Sequence, residues 1–144
     1  MQRCDVMVDD EIRQLLDKIA AQTRRDYANM LRELHLHVGQ DNMLCLLWKG
    51  DGITQLQLCE SLNCEPSTVT NMLNTLEKNG IVYRQRDSTD ARISRVYLTA
   101  KGSQLEEPVK KIWYTQQEKL LQSILPEERL LLRRLMKQME DNLL

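Results

Sequence analysis

Within eight residues the chain places Ser67, Thr68, Thr70, Asn71 and Asn74, all short side chains that both donate and accept hydrogen bonds. An asparagine carboxamide can pair with both major-groove edge atoms of adenine, and serine or threonine hydroxyls suit phosphate oxygens. Lys78, Arg84, Arg86, Arg92 and Arg95 follow, with Asp90 two residues before Arg92. Guanidinium groups in this setting reach backbone phosphates or a narrow minor groove. From Pro66 to Lys101 six basic residues face three acidic ones, so this segment carries +3 on a chain of net charge −1, and the remainder −4. A basic excess confined to one segment is what contact with a nucleic acid requires, because phosphates are neutralised by one face of a protein.

Covalent chemistry finds little to work with. The four cysteines, at positions 4, 45, 59 and 64, include no pair with the two-residue gap of a zinc knuckle or redox motif. The only two histidines, His35 and His37, are two residues apart and would lie on different faces of a helix. There is no glycine-rich phosphate loop and no visible nucleophile–base pair, so no catalytic residue, metal site or cofactor is expected. Cys45, Cys59 and Cys64 fall within apolar patterns and are expected to be buried free thiols. No apolar run approaches the roughly 20 residues that span a bilayer. The start, Met1-Gln2-Arg3-Cys4-Asp5, has no apolar core of a signal peptide, and a cytoplasmic location is expected.

The elements that must hold the polar cluster are legible from periodicity. Ile12, Leu15, Leu16, Ile19, Tyr27, Met30, Leu31 and Leu34 recur at helical spacing, which predicts a first helix from about Asp9 to His35. Met43, Leu44, Leu46 and Leu47 predict a second, ending near Trp48 before the turn Lys49-Gly50-Asp51-Gly52. Thr54 and Gln57 form a capping-box pattern opening a third helix, and Pro66 suits the first position of a fourth. Val69, Met72, Leu73 and Leu76 give that fourth helix an apolar stripe, and Gly80 is placed to end it.

Ile81–Arg86 and Arg95–Thr99 read as strands, with a polar turn from Asp87 to Arg92 making them a hairpin. A long helix is expected from Thr99, its N-cap, to about Ser123, kinked at Pro108, and a last one from Pro126. Two helices joined by a four-residue turn and followed by a hairpin make a winged helix-turn-helix, whose second helix enters the major groove. The expected fold class is mainly α (α+β), with six helices and one hairpin. The last helix is apolar on more than one side: Leu130, Leu131 and Leu132 run consecutively, with Leu135, Met136, Met139, Leu143 and Leu144 beyond. One face is expected to cover its own subunit and the surplus to meet a second chain.

Several runs together resemble the MarR (multiple antibiotic resistance regulator) family. They are Ser67-Thr68-Val69-Thr70, Leu76-Glu77-Lys78-Asn79-Gly80-Ile81-Val82-Tyr83-Arg84, Asp90-Ala91-Arg92 and Val96-Tyr97-Leu98-Thr99-Ala100-Lys101-Gly102. The resemblance covers nearly the whole chain. It implies a triangular homodimer, with residues 1–37 and 103–144 forming the dimerisation helices around a DNA-binding domain at 38–102. It further implies a sequence-specific transcriptional regulator, by default a repressor, binding a pseudo-palindromic duplex, with Arg92 entering the minor groove and Asp90 holding it. Small phenolic ligands, oxidants or metals modulate binding in such proteins. Tyr27, His35, Trp48 and Trp113 are the candidates here for lining a small-molecule effector pocket.

Two departures stand out. Members commonly carry arginine where this chain has Asn71, and its oxidant sensors have a reactive cysteine early in the first helix beside aromatic residues, whereas Cys4 precedes that helix between Arg3 and Asp5. The alternative readings are a winged-helix protein-interaction module that binds no DNA and a thiol-based redox-sensing regulator.

Overall fold

The computed structural model describes the backbone of residues 3–144 and the side chains from Val6 onward, so the Cys4 thiol lies outside the described residues. Helix α1 (Arg3–Arg32) begins before the acidic run Asp9-Asp10-Glu11, which therefore sits within the helix rather than at its start. Val6, Met7, Val8, Ile12, Leu15, Leu16 and Ile19 on its first half are all exposed in the single chain. Its last turns are covered, and Leu31 is fully buried. The helix ends where His35 turns left-handed (φ 59°), with Leu36 N–H donating back to the Leu31 carbonyl.

Gly39 (φ 103°) opens α2 (Gln40–Lys49). A two-residue strand, β1 (Ile53–Thr54), then leads directly into α3 (Gln55–Leu62). Thr54 is the N-cap as the pattern predicts: its Oγ1 accepts from Gln57 N–H, and Gln57 Oε1 accepts from Thr54 N–H. Asn63, left-handed at φ 50°, ends α3. Helix α4 (Pro66–Lys78) carries Pro66 in its first turn and stops at Gly80, whose φ is 72°.

Strands β2 (Val82–Arg86) and β3 (Ser94–Leu98) pair antiparallel with Arg84 opposite Val96. The hairpin stands as expected, but β1 adds a third strand, in the order β1-β3-β2, with Ile53 opposite Val96. Two residues are too short to show a period of two, so periodicity could not find this strand. Leu58, Val69, Leu73, Leu76, Ile81, Val82 and Val96 form the core beneath the sheet and are continuous with Met43, Leu44 and Leu47 of α2.

The single long helix expected after Thr99 is two helices, α5 (Ala100–Gln104) and α6 (Glu106–Leu120), which raises the described helices to seven. The cause is Pro108, which offers no N–H to the carbonyl of Gln104 four residues earlier. The chain breaks at Leu105, leaving Pro108 in the first turn of α6, where a missing donor costs nothing.

Helix α7 (Pro126–Leu143) starts where expected, with Glu128 Oε1 accepting from Leu125 N–H. It corrects one expectation: none of its residues is buried, so no face of it covers its own subunit. Its start is tied to the end of α6 instead, where Arg129 donates to the Leu121 and Ile124 carbonyls.

Candidate nucleic-acid interface

The apolar stripe of α4 decides which side chains face outward. With Val69, Leu73 and Leu76 fully buried, Ser67, Thr68, Asn71 and Asn74 are turned to solvent, and Lys78 is exposed in the last turn. Thr70 is half-buried because Gln55 at the start of α3 reaches across the turn and donates from Nε2 to its Oγ1 at 2.7 Å. That bond occupies the Thr70 oxygen as an acceptor and leaves the hydroxyl proton to donate.

The four wing arginines, alike in sequence, divide in the structure. Arg92 projects from the turn with 90 % of its side chain exposed, held by Asp90 through Nε–Oδ1 at 3.1 Å and Nη2–Oδ2 at 3.3 Å. Those bonds, with the Arg92 backbone N–H also donating to Asp90, hold the Asp90 carboxyl below its ordinary range. Arg86 is exposed and donates once, to the Ala91 carbonyl at 3.2 Å, which closes the turn.

Arg84 and Arg95 are committed to the protein. Arg84 donates to Glu77 and to Asn74, so it and Asn74 occupy each other. Arg95 donates from Nε to Asp87 at 2.7 Å and from Nη1 to the Gly52 carbonyl at 2.9 Å, pinning the wing to the turn before β1.

Asp87, absent from the candidate residues above, organises the wing turn. Its Oδ2 accepts from the Thr89 hydroxyl and from the Thr89 and Asp90 backbone N–H groups, while Oδ1 accepts from Arg95. The Thr89 hydroxyl, then Arg95 and the two amides, depress its carboxyl far below the usual range. The signal was present, since aspartate followed two residues later by threonine is an Asx-turn pattern.

The wing also depends on Gly102 of α5. Its N–H donates to the Thr99 N-cap, Trp48 Nε1 donates to its carbonyl at 3.0 Å, and a Cβ there would lie 2.2 Å from the Ile81 carbonyl oxygen. At the opposite end, Pro66, Gln55 and Leu56 line one cleft with Arg92, so the start of α4 and the wing tip share one side of the protein.

The four effector candidates make different contacts. Trp113 of α6 donates from Nε1 to Asp41 Oδ2 at 3.0 Å, and Tyr27 of α1 also senses Asp41: burial first, then that charge, pushes its hydroxyl above the ordinary range. Trp48 points its N–H at Gly102, and His35 is exposed in the turn after α1. Of the three cysteines expected to be buried, only Cys59 is; Cys45 and Cys64 are half-buried, and Cys64 Sγ donates to the Leu62 carbonyl. Among the described residues no three histidine, cysteine or acidic side chains cluster as metal ligands, and no helix is long and apolar enough to cross a membrane.

Residues 38–94, from the turn before α2 to the first residue of β3, match the family model described as MarR family. Over 101 residues the chain is 35 % identical to the uncharacterized HTH-type transcriptional regulator YdgJ of Bacillus subtilis (strain 168), covering 70 % of this chain and 62 % of that protein. Over 93 residues it is 30 % identical to the organic hydroperoxide resistance transcriptional regulator of the same organism, covering 65 % of this chain and 63 % of the relative. The matches thus span just under two thirds of these curated relatives. In fold, the chain superposes on a crystal structure of an S. aureus MepR–DNA complex with a TM-score of 0.83 at 24 % identity, covering 90 % of this chain and 96 % of that one. With the helix-turn-helix, the three-stranded wing and the Asp90–Arg92 tip all within or bordering the matched segment, the chain is similar to the MarR family across that segment and has the winged-helix fold.

Proposed function

We propose that the protein is a transcriptional regulator that binds duplex DNA sequence-specifically as a homodimer, by default as a repressor. The observation that carries this reading is the common side shared by the start of α4 and the exposed Arg92 of the wing tip. An α-helix presenting Ser67, Thr68 and Asn71 fits the major groove, while an exposed guanidinium beyond it fits the adjacent phosphates or minor groove. The relatives' names as transcriptional regulators support the same activity.

Dimerisation follows from the apolar residues left uncovered. Val6, Met7, Ile12, Leu15, Leu16 and Ile19 on α1, and Leu130, Leu131, Leu135 and Met136 on α7, are each 40 % or more exposed in the single chain. Exposed apolar residues in such number on two helices mark an interface, and a two-fold dimer would set two α4 helices about one DNA turn, or roughly 34 Å, apart. Residues 1–37 and 103–144 would then be the dimerisation elements and 38–102 the DNA-binding unit. A small-molecule effector acting where Tyr27 and Trp113 face Asp41 would relieve binding, and the setting is the cytoplasm.

Selection of bound fragments from random duplex DNA, followed by sedimentation and titration of the recovered duplex, tests the reading. A pseudo-palindromic consensus bound by a sedimenting dimer is expected. Deleting residues 126–144 should abolish tight binding although no DNA-facing residue is lost, because joint engagement of two half-sites contributes on the order of 10²–10⁴-fold. A full-length protein that sediments as a monomer at micromolar concentration yet binds a palindrome tightly would overturn the dimer.

A further inference from the structure

The winged lobe, α2 to β3, meets the flanking helices α1 and α6 almost entirely through apolar side chains such as Leu31, Leu36, Val109 and Ile112. Such packing holds surfaces together but prefers no particular orientation. Among the described residues one side-chain hydrogen bond crosses from α1, α6 or α7 to that lobe: Trp113 Nε1 to Asp41 Oδ2, at 3.0 Å.

Asp41 is only 5 % exposed, and both its oxygens are used. Oδ1 accepts from Gly39 N–H at 3.0 Å, which fixes the left-handed turn (φ 103°) entering α2. Gly39 in turn abuts α4: a Cβ built on it would stand 3.6 Å from Met72 Sδ. A continuous path therefore runs from the indole of α6 through one carboxylate and one turn to the helix that faces DNA. Burial first, and then the Asp41 charge, also raises the pKa of Tyr27 on α1.

We infer that Asp41 is a positioning residue that, through Trp113 and Gly39, fixes the angle between the winged lobe and the dimerisation helices, and so the half-site separation the dimer accepts. The inference rests on the dimeric DNA-binding reading above. A hydrogen bond is directional where apolar contact is not, and one to a carboxylate shifts an equilibrium about tenfold to a hundredfold. Each base pair added between half-sites moves one of them by about 3.4 Å and rotates it by about 34°, so a small change of lobe angle alters which separation fits.

The test uses the duplex recovered by selection, re-synthesised with its half-sites moved apart or together one base pair at a time, and a duplex carrying a single half-site. Full-length wild type, Asp41→Asn and Trp113→Phe are titrated on each. Trp113→Phe keeps an aromatic ring in place and removes only the indole and its N–H, so it remains informative should Asp41→Asn fail to fold. The wild type should prefer one separation about a hundredfold over those two base pairs away, and the variants should retain less than about a tenth of that preference. Their affinity for the single half-site should stay within about twofold of wild type.

In a Trp48→Phe background, Asp41→Asn should also shift the Trp113 emission, reporting loss of the indole bond. Equal loss on every duplex, single half-site included, would mean that Asp41 merely stabilises the fold and would overturn the inference, as would an unchanged separation preference in both variants. A wild type that binds no duplex would remove the functional reading itself, and the inference with it.

Discussion

Arg84 on β2 and Glu77 on α4 form an ion pair with an Nε–Oε2 distance of 2.7 Å, and the same guanidinium reaches Asn74 one turn earlier on α4. The wing is thereby tied to the helix it flanks, and a residue that looks like a phosphate contact in the sequence is spent on internal geometry. Arg84→Gln should cost about 0.5–1 kcal/mol of stability, given the partial exposure of both partners. It should weaken DNA binding with little change in the slope of log affinity against log salt. A salt titration beside a urea melt checks both; a slope smaller by a whole phosphate equivalent would make Arg84 a direct contact.

Arg92 should behave in the opposite way. Its side chain is 90 % exposed and its partner Asp90 is at the surface, so the fold asks little of it. Arg92→Ala should leave the urea midpoint near wild type, weaken operator binding strongly and lower the salt slope by about one unit. Parent-like affinity at every salt concentration would remove the wing tip from the interface.

Asn71 and Asn74 now separate. Among the described residues Asn71 makes no side-chain hydrogen bond, whereas Asn74 accepts from Arg84. Asn71→Ala should relax base preference at one or two positions by about 1–3 kcal/mol. Asn74→Ala should resemble Arg84→Gln, lowering affinity on all sequences together. Binding to a panel of single-base operator variants distinguishes the two patterns.

Gly102→Ala should be severe, at about 3 kcal/mol, because the new methyl would meet the Ile81 backbone oxygen at 2.2 Å and Leu98 Cδ2 at 3.0 Å. Neither Ile81 nor the start of α5 can shift easily, since Thr99 Oγ1 donates to the Gly80 carbonyl and caps Gly102. A urea midpoint unchanged from wild type would refute the close approach.

Asp87 should make stability depend on acid pH. Its folded carboxyl titrates well below an ordinary one because the Thr89 hydroxyl and Arg95 bind the charged form. A depressed folded value contributes stability that is fully present above the unfolded value of about 3.9 and is lost as pH falls through it toward the folded value. Urea midpoints from pH 6 down to pH 3 should fall less steeply for Asp87→Asn than for wild type. Parallel curves would mean the turn does not depend on the charge.

Much of this protein was legible along the chain because the relevant physics is local. The Thr54/Gln57 box, Pro66 at the head of α4, Gly80 at its end and the Thr99 cap act within a few residues, and each sits in the structure where the pattern places it. The apolar stripe of α4 likewise determined that Ser67, Thr68 and Asn71 face outward. What only the tertiary structure decided were relations between residues far apart in sequence. Nothing in four similar arginines says that Arg95 will find the Gly52 carbonyl, 43 residues away, or that Arg92 will stay exposed beside its neighbour Asp90. Nor could the sequence join Asp41 to Trp113, 72 residues apart, or show that α7 buries no residue in its own chain. Hydrogen bonds act over about 3 Å, so which of several chemically equivalent groups is satisfied internally, and which stays free for a partner, depends on distances that exist only once the chain has folded.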